Sequence, residues 1–172
     1  KMQKKITTNS AKETQELGEK LVKDILTQLL PVSPRRDGVG ARKSALVLAL
    51  QGDLGGGKTT FLQGFAKGLG IKEKILSPTF VLIKRFKITA IPQNRQPSIL
   101  RYRYFYHIDC YRINSAKDIN GLGFGDIISN SENIVAIEWS ERIKKRLPKL
   151  TITIKFNFLK RNKRKIVIYP VK

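Results

Sequence analysis

Gly52 is followed, after four residues, by Gly57-Lys58-Thr59, and this pattern lies between an apolar run over 45–50 and a helix-periodic stretch over 59–69. No other feature of the chain narrows its fold so far. Glycines without a Cβ let successive backbone N–H groups turn toward one concave point, and the following helix adds the positive end of its dipole. Lys58 can then reach the β- and γ-phosphates of a nucleotide, and the Thr59 hydroxyl can reach Mg²⁺. The plain alternative is a glycine-rich turn that happens to precede Lys-Thr. A buried-type strand before the loop and a helix after it favour the phosphate loop, because the pattern works in that context.

The 172 residues amount to one domain, 1–172, with one sizeable core. Lys plus Arg number 34 against 13 Asp plus Glu, a formal charge of +21, while 41% of residues are hydrophobic. That apolar fraction argues against a disordered polycation. Cys110 is the single cysteine, so no internal disulfide framework is possible, and a reducing compartment is expected. The basic residues over 1–5 resemble the head of a signal peptide, but 6–20 is polar where an apolar run would be needed. The longest apolar run, 45–50, falls far short of the ~20 residues that cross a bilayer. A soluble, cytoplasmic protein without membrane contact is the expectation.

Apolar residues at Leu17, Leu21, Val22, Ile25, Leu26, Leu29 and Leu30 share one helical face, and Ser10 with Glu13 reads as a capping box, so a helix is expected over 10–30. Residues 31–43 carry two prolines and no periodicity and read as an exposed loop. Strands are expected over 79–86, 102–109 and 134–137, with a polar stretch over 87–101 between the first two. Ile152, Ile154, Phe156 and Phe158 alternate strictly, 160–165 reads as a charged turn, and 166–169 returns as the second arm of a hairpin. Asp109 and Glu138 end two of these strands, where parallel α/β sheets gather their ligands. Each has a plainer reading, as a turn residue or a surface carboxylate.

The chain resembles the TsaE family of bacterial P-loop ATPases, which serve tRNA threonylcarbamoyladenosine synthesis. The likeness rests on Leu17-Gly18 in the first helix, the run from Gly52 to Phe61, Ser77-Pro78-Thr79-Phe80, the run from Tyr106 to Arg112, and Ile137-Glu138-Trp139. It implies a P-loop NTPase-like α/β fold: a three-layer α/β/α arrangement with a mixed central sheet and a C-terminal antiparallel hairpin. It implies ATP and Mg²⁺ as cofactors, held by Asp53, Leu54, Gly55, Gly56, Gly57, Lys58, Thr59 and Thr60. Thr59 and Asp109 would serve the metal, and Glu138 would bind it or orient the attacking water. Lys58, Asp109 and Glu138 are thus the expected catalytic set. Ser77 and Thr79 would form a switch-like loop. Trp139 would lie by the nucleotide, with Thr14 at the start of the first helix and Arg161 at the hairpin turn near the base. The partners implied are the TsaD and TsaB proteins. Gly56 stands where the family usually has alanine, and 31–43 and 87–101 look like insertions.

Other residues stay open at this level. His107 reads as a packed residue supporting Asp109, and Cys110 as an inert thiol on the other side of the strand. Arg112 either clamps a phosphate or pairs with an acid such as Asp118. Residues 142–172 contain no acid, and the cluster over 160–165 reads either as a tRNA-facing surface or as a solvated face. A small P-loop kinase and a basic nucleic-acid-binding module with a vestigial nucleotide site are the rival functions. The first lacks an Asp-Arg acceptor signature after the loop, and intact Lys58, Thr59, Asp109 and Glu138 weigh against the second.

Overall fold

The computed structural model describes residues 3–25, 44–78, 82–88, 102–115 and 117–169. Strand β2 (Leu46–Gln51) and strand β5 (Asn133–Glu138) are buried almost throughout and lie side by side in parallel. Helices or helical turns cover both of their faces, which is why 46–50 and 134–137 are unbroken apolar runs. On one side of this pair comes β4 (Tyr104–Asp109), parallel to β5, and then β3 (Ile83–Lys87), antiparallel to β4. On the other side comes β6 (Thr151–Lys160), parallel to β2, and then β7 (Lys163–Tyr169) and β1 (Lys4–Thr8), each antiparallel to its neighbour. The sheet order is β1-β7-β6-β2-β5-β4-β3. The sheet is therefore mixed, and the chain closes in an antiparallel hairpin.

Helix α1 (Ala11–Asp24) and helix α2 (Lys58–Gly68) cover one face, burying Leu21, Val22, Phe61 and Phe65 against Leu48, Leu50, Ile154 and Phe156. The helices meet at glycine: a Cβ on Gly64 would stand 1.8 Å from the Gln15 carbonyl oxygen. The opposite layer is thinner. Among the described residues it consists of the short helix α3 (Phe124–Ser129) and 3₁₀ turns over Asn120–Leu122 and Ser140–Arg146, which pack Ile119, Phe124 and Ile143 on Val47, Val135 and Ile137.

Ser10 caps α1 as expected, its Oγ accepting from the Glu13 N–H at 3.0 Å, while the Glu13 carboxylate accepts from the Asn9 N–H at 2.8 Å. The expected extension of that helix over 26–30, the loop 31–43, residues 79–81 of the expected strand and all but the first two residues of the 87–101 insertion lie outside the described residues. Two elements were not legible. Strand β1 has little apolar pattern and exists because its backbone completes the hydrogen bonding of the β7 edge. Helix α3 is too short to show a period. The charged turn shrinks from 160–165 to Arg161-Asn162, because β6 runs to Lys160 and β7 starts at Lys163. Charged side chains do not end a strand whose outward positions face water, and a two-residue connection with Arg161 at φ 51° closes it.

Candidate nucleotide site

Strand β2 ends at Gln51, and the chain turns through Gly52, Gly55 and Gly57, at φ 129°, 74° and 96°, into α2. These are left-handed conformations that glycine adopts without strain. The hairpin backs the loop. A Cβ on Gly52 would stand 2.2 Å from the Phe156 carbonyl oxygen, and one on Gly57 would stand 2.6 Å from Arg164 Nε. Arg164 was missed by sequence reasoning, since nothing in a run of six polar residues marks the one whose side chain turns back onto the loop.

Lys58 is buried, and its Nζ donates to the carbonyl oxygens of Gly52 at 2.6 Å and Asp53 at 2.9 Å. Its amine stands 4.1 Å from the centre of the Trp139 ring. Burial pushes its pKa below the usual lysine value, opposed by the charges of Glu138, Glu141, Asp109 and Asp53. Next in the helix, Thr59 Oγ1 donates to Glu138 Oε1 at 2.8 Å. Asp109 and Glu138 end β4 and β5 directly opposite one another in the parallel register. Ser77 donates to Asp109 Oδ2, and the Tyr111 N–H donates to Asp109 Oδ1 at 2.8 Å.

These groups surround a cleft of about 330 Å³ lined by residues 54–60 with Ser77, Asp109, Tyr111, Glu138 and Trp139. Asp53 borders it through the carbonyl that holds Lys58. Tyr111 was not singled out from the sequence, although it lies two residues past Asp109; its ring centre is 5.1 Å from that of Trp139. Trp139 itself takes a left-handed backbone at φ 55°. Thr14 is fully buried in the first turn of α1, bonded to Thr8 Oγ1 at 2.8 Å and to the Ser10 carbonyl at 2.9 Å, and Arg161 stands exposed at the hairpin turn. Neither is among the residues lining the cleft. Thr79 lies outside the described residues.

His107 corrects the sequence reading. Its partner is Glu138, with Nε2 2.8 Å from Oε1, and not Asp109. The register explains this: His107 pairs with Ala136, so Glu138, two residues on, is its diagonal neighbour on the same face. Cys110 turns to the opposite core, and burial together with the Asp109 charge pushes its thiol up to about 12. It is an inert thiol.

A threonine hydroxyl beside two carboxylates is an all-oxygen donor set, which suits a hard cation. Among the described residues no three His, Cys, Asp or Glu side chains form a ready-made metal cage. Mg²⁺ commonly uses one or two carboxylates and completes its shell with water and substrate phosphate, so these residues fit it.

No helix among the described residues is long and apolar enough to cross a membrane. The family model described as "Threonylcarbamoyl adenosine biosynthesis protein TsaE" matches residues 8–166. The tRNA threonylcarbamoyladenosine biosynthesis protein TsaE of Treponema pallidum is 37% identical over 122 residues, covering 71% of this chain and 80% of that protein. The protein of the same name from Bacillus subtilis is 39% identical over 111 residues, 63% of this chain and 61% of that protein, so the match spans less than two thirds of that relative. The crystal structure of Bacillus subtilus YdiB superimposes with a TM-score of 0.68 at 26% identity, covering 99% of this chain and 87% of that one. With a P-loop NTPase-like fold and a family match that runs from β1 into β7, this chain belongs to the TsaE family of tRNA threonylcarbamoyladenosine biosynthesis proteins.

Proposed function

We propose that the protein is an ATPase that binds ATP with Mg²⁺ in the cleft between the glycine loop and the ends of β4 and β5. In this reading it works in the cytoplasm with the TsaD and TsaB proteins, in the assembly that installs threonylcarbamoyl on adenosine 37 of tRNA. The observation that carries the reading is the meeting of Thr59 and Glu138 at 2.8 Å in a cleft that Lys58, 4.1 Å from the centre of the Trp139 ring, also lines.

On this reading Lys58 exchanges the Gly52 and Asp53 carbonyls for the β- and γ-phosphates, and the anion supplies the counter-charge that burial makes valuable. Backbone N–H groups over 55–59 hold the phosphate chain at the head of α2. Thr59 and Asp109 would hold Mg²⁺, which would supply counter-charge to the phosphate oxygens. Glu138, fixed by Thr59 and His107, accepts a hydrogen bond from the attacking water and orients it. Ser77 exchanges its bond to Asp109 for the γ-phosphate and so registers whether that group is present.

Titration calorimetry with ATP and Mg²⁺ on the parent and on Lys58→Ala tests the reading, together with phosphate release with and without TsaD and TsaB. The parent should bind ATP and release phosphate, faster with the partners, and the variant should do neither measurably. ATP affinity unchanged in Lys58→Ala would sink the assignment of the loop.

A further inference from the structure

We propose that the outer face of the β6–β7–β1 wing is a docking surface for the phosphate backbone of a folded RNA. Strand β6 sends Ile152, Ile154 and Phe156 into the core beneath α1 and α2, so alternation sends Thr153, Lys155 and Asn157 to the other side. Pairing extends that side across the wing. Val167 of β7 lies between Lys155 and Lys5, and Lys165 lies between Asn157 and Thr7. Lys5, Thr7, Lys155, Asn157 and Lys165 are all exposed. The helical elements of this layer pack on β2 and β5, and among the described elements none packs on the wing from this side.

Beside the wing, the segment leaving the 3₁₀ turn over Ser140–Arg146 forms a shallow groove of about 270 Å³, with Lys144 and Lys149 on one wall and Thr151, Thr153 and Tyr169 on the other. Lys155 Nζ stands 5.5 Å from the Tyr169 ring. No ion pair among the described residues neutralises Lys5, Lys144, Lys149, Lys155 or Lys165; the described pairs lie elsewhere. Residues 142–172 hold no acid to do so.

The composition of the face distinguishes an RNA from an acidic protein. Protein interfaces take their energy from aromatic or aliphatic anchors that fill pockets. The apolar side chain in the centre of this wing, Val167, is already buried, at 5% exposure. The exposed Phe158 pairs with Arg164, which in turn pairs with Thr8, in the alternate register, and so belongs to the opposite face. Leu147 and Pro148 line the groove beside Tyr169, and the exposed Leu159 stands at the register shift at the end of β6, so the apolar groups lie at the edges of the face. Between them, Lys5, Thr7, Lys155, Asn157 and Lys165 offer lysine, hydroxyl and amide, the groups that bond phosphate and sugar oxygens without reading bases. Of the basic cluster over 160–165, Lys165 belongs to this surface, while the turn itself stands at its end. The inference is independent of ATP binding, because none of these residues lines the nucleotide cleft.

The test is filter binding of a labelled, unmodified tRNA transcript to the full chain across a salt series. The triple variant Lys5→Gln, Lys155→Gln, Lys165→Gln is compared with Lys12→Gln, Lys20→Gln, Lys72→Gln, which removes the same charge from exposed lysines elsewhere. Each lost phosphate contact should lower the slope of log affinity against log salt by about 0.7–0.9, so the wing variant should lose roughly two units and the control much less. Equal slopes in the parent and the wing variant, or equal losses in both triples, would overturn the proposal. So would displacement of the transcript by polyglutamate as readily as by unlabelled tRNA, which would assign the face to an acidic protein. ATP calorimetry on the same variants separates this outcome from failure of the nucleotide reading. Circular dichroism melting confirms that the variants are folded.

Discussion

His107 Nε2 and Glu138 Oε1 stand 2.8 Å apart, on neighbouring strands and both buried, and Thr59 Oγ1 reaches the same carboxylate oxygen at 2.8 Å. A carboxylate oxygen only accepts, so in this contact Nε2 carries the hydrogen toward Glu138, while His107 Nδ1 is buried without a hydrogen-bond partner. The imidazole and the Thr59 hydroxyl therefore hold one oxygen of the Glu138 carboxylate, and the residue itself lines the cleft.

His107→Ala should lower kcat for ATP about 10-fold while leaving KM near the parent value, because it frees Glu138 without touching the phosphate loop. His107→Gln, which keeps a donor at the Nε2 position, should recover part of the loss. Glu138→Gln should keep ATP affinity and lose about 10²-fold or more in turnover. Steady-state phosphate release with kcat and KM resolved separately checks all three, and parental turnover in Glu138→Gln would remove that residue from the reaction.

Ser77 occupies Asp109 Oδ2, and the Tyr111 N–H occupies Oδ1, so a metal at Asp109 must compete with Ser77 for the carboxylate. Asp109→Asn should raise the Mg²⁺ concentration for half-maximal turnover, by about 10-fold or more, with ATP saturating. Ser77→Ala should shift it much less, and in the direction of tighter binding if competition is the larger part of its role. Titrating Mg²⁺ in the turnover assay reads both shifts.

Gly64 sits where α2 presses on α1. Alanine is intrinsically better than glycine inside a helix by about 1 kcal/mol, yet a Cβ at Gly64 would lie 1.8 Å from the backbone oxygen of Gln15. Backbone cannot step aside as a flexible side chain can, so Gly64→Ala should destabilise the protein by about 1–3 kcal/mol or more. Gly121→Ala, with nothing within 4 Å of its added Cβ, should stay within about 0.5 kcal/mol of the parent. Urea unfolding midpoints with unchanged m-values make the comparison.

What could be read directly was local in sequence. The glycine loop declares itself because its turn chemistry, its lysine and its threonine lie within eight consecutive positions, and the buried strands β2 and β5 because burial on both faces leaves no polar residue over 46–50 and 134–137. Ser10 could be recognised as a cap because its partner is three residues away. Strand β1 could not be recognised, since its stability comes from hydrogen bonds to β7, some 160 residues distant. His107 was assigned to the acid two positions along its own strand, but the parallel register of β4 and β5 hands it to Glu138. The lysines of the C-terminal hairpin were countable from the start, yet which of them face water together depends on strand pairing. Sequence carries the period of each element, because that is set by bond geometry within a few residues. Which elements become neighbours, and in what register, is decided only when burial of all the faces is satisfied at once, and this tertiary step brought Thr59, Asp109 and Glu138 to one cleft, with His107 buried against Glu138.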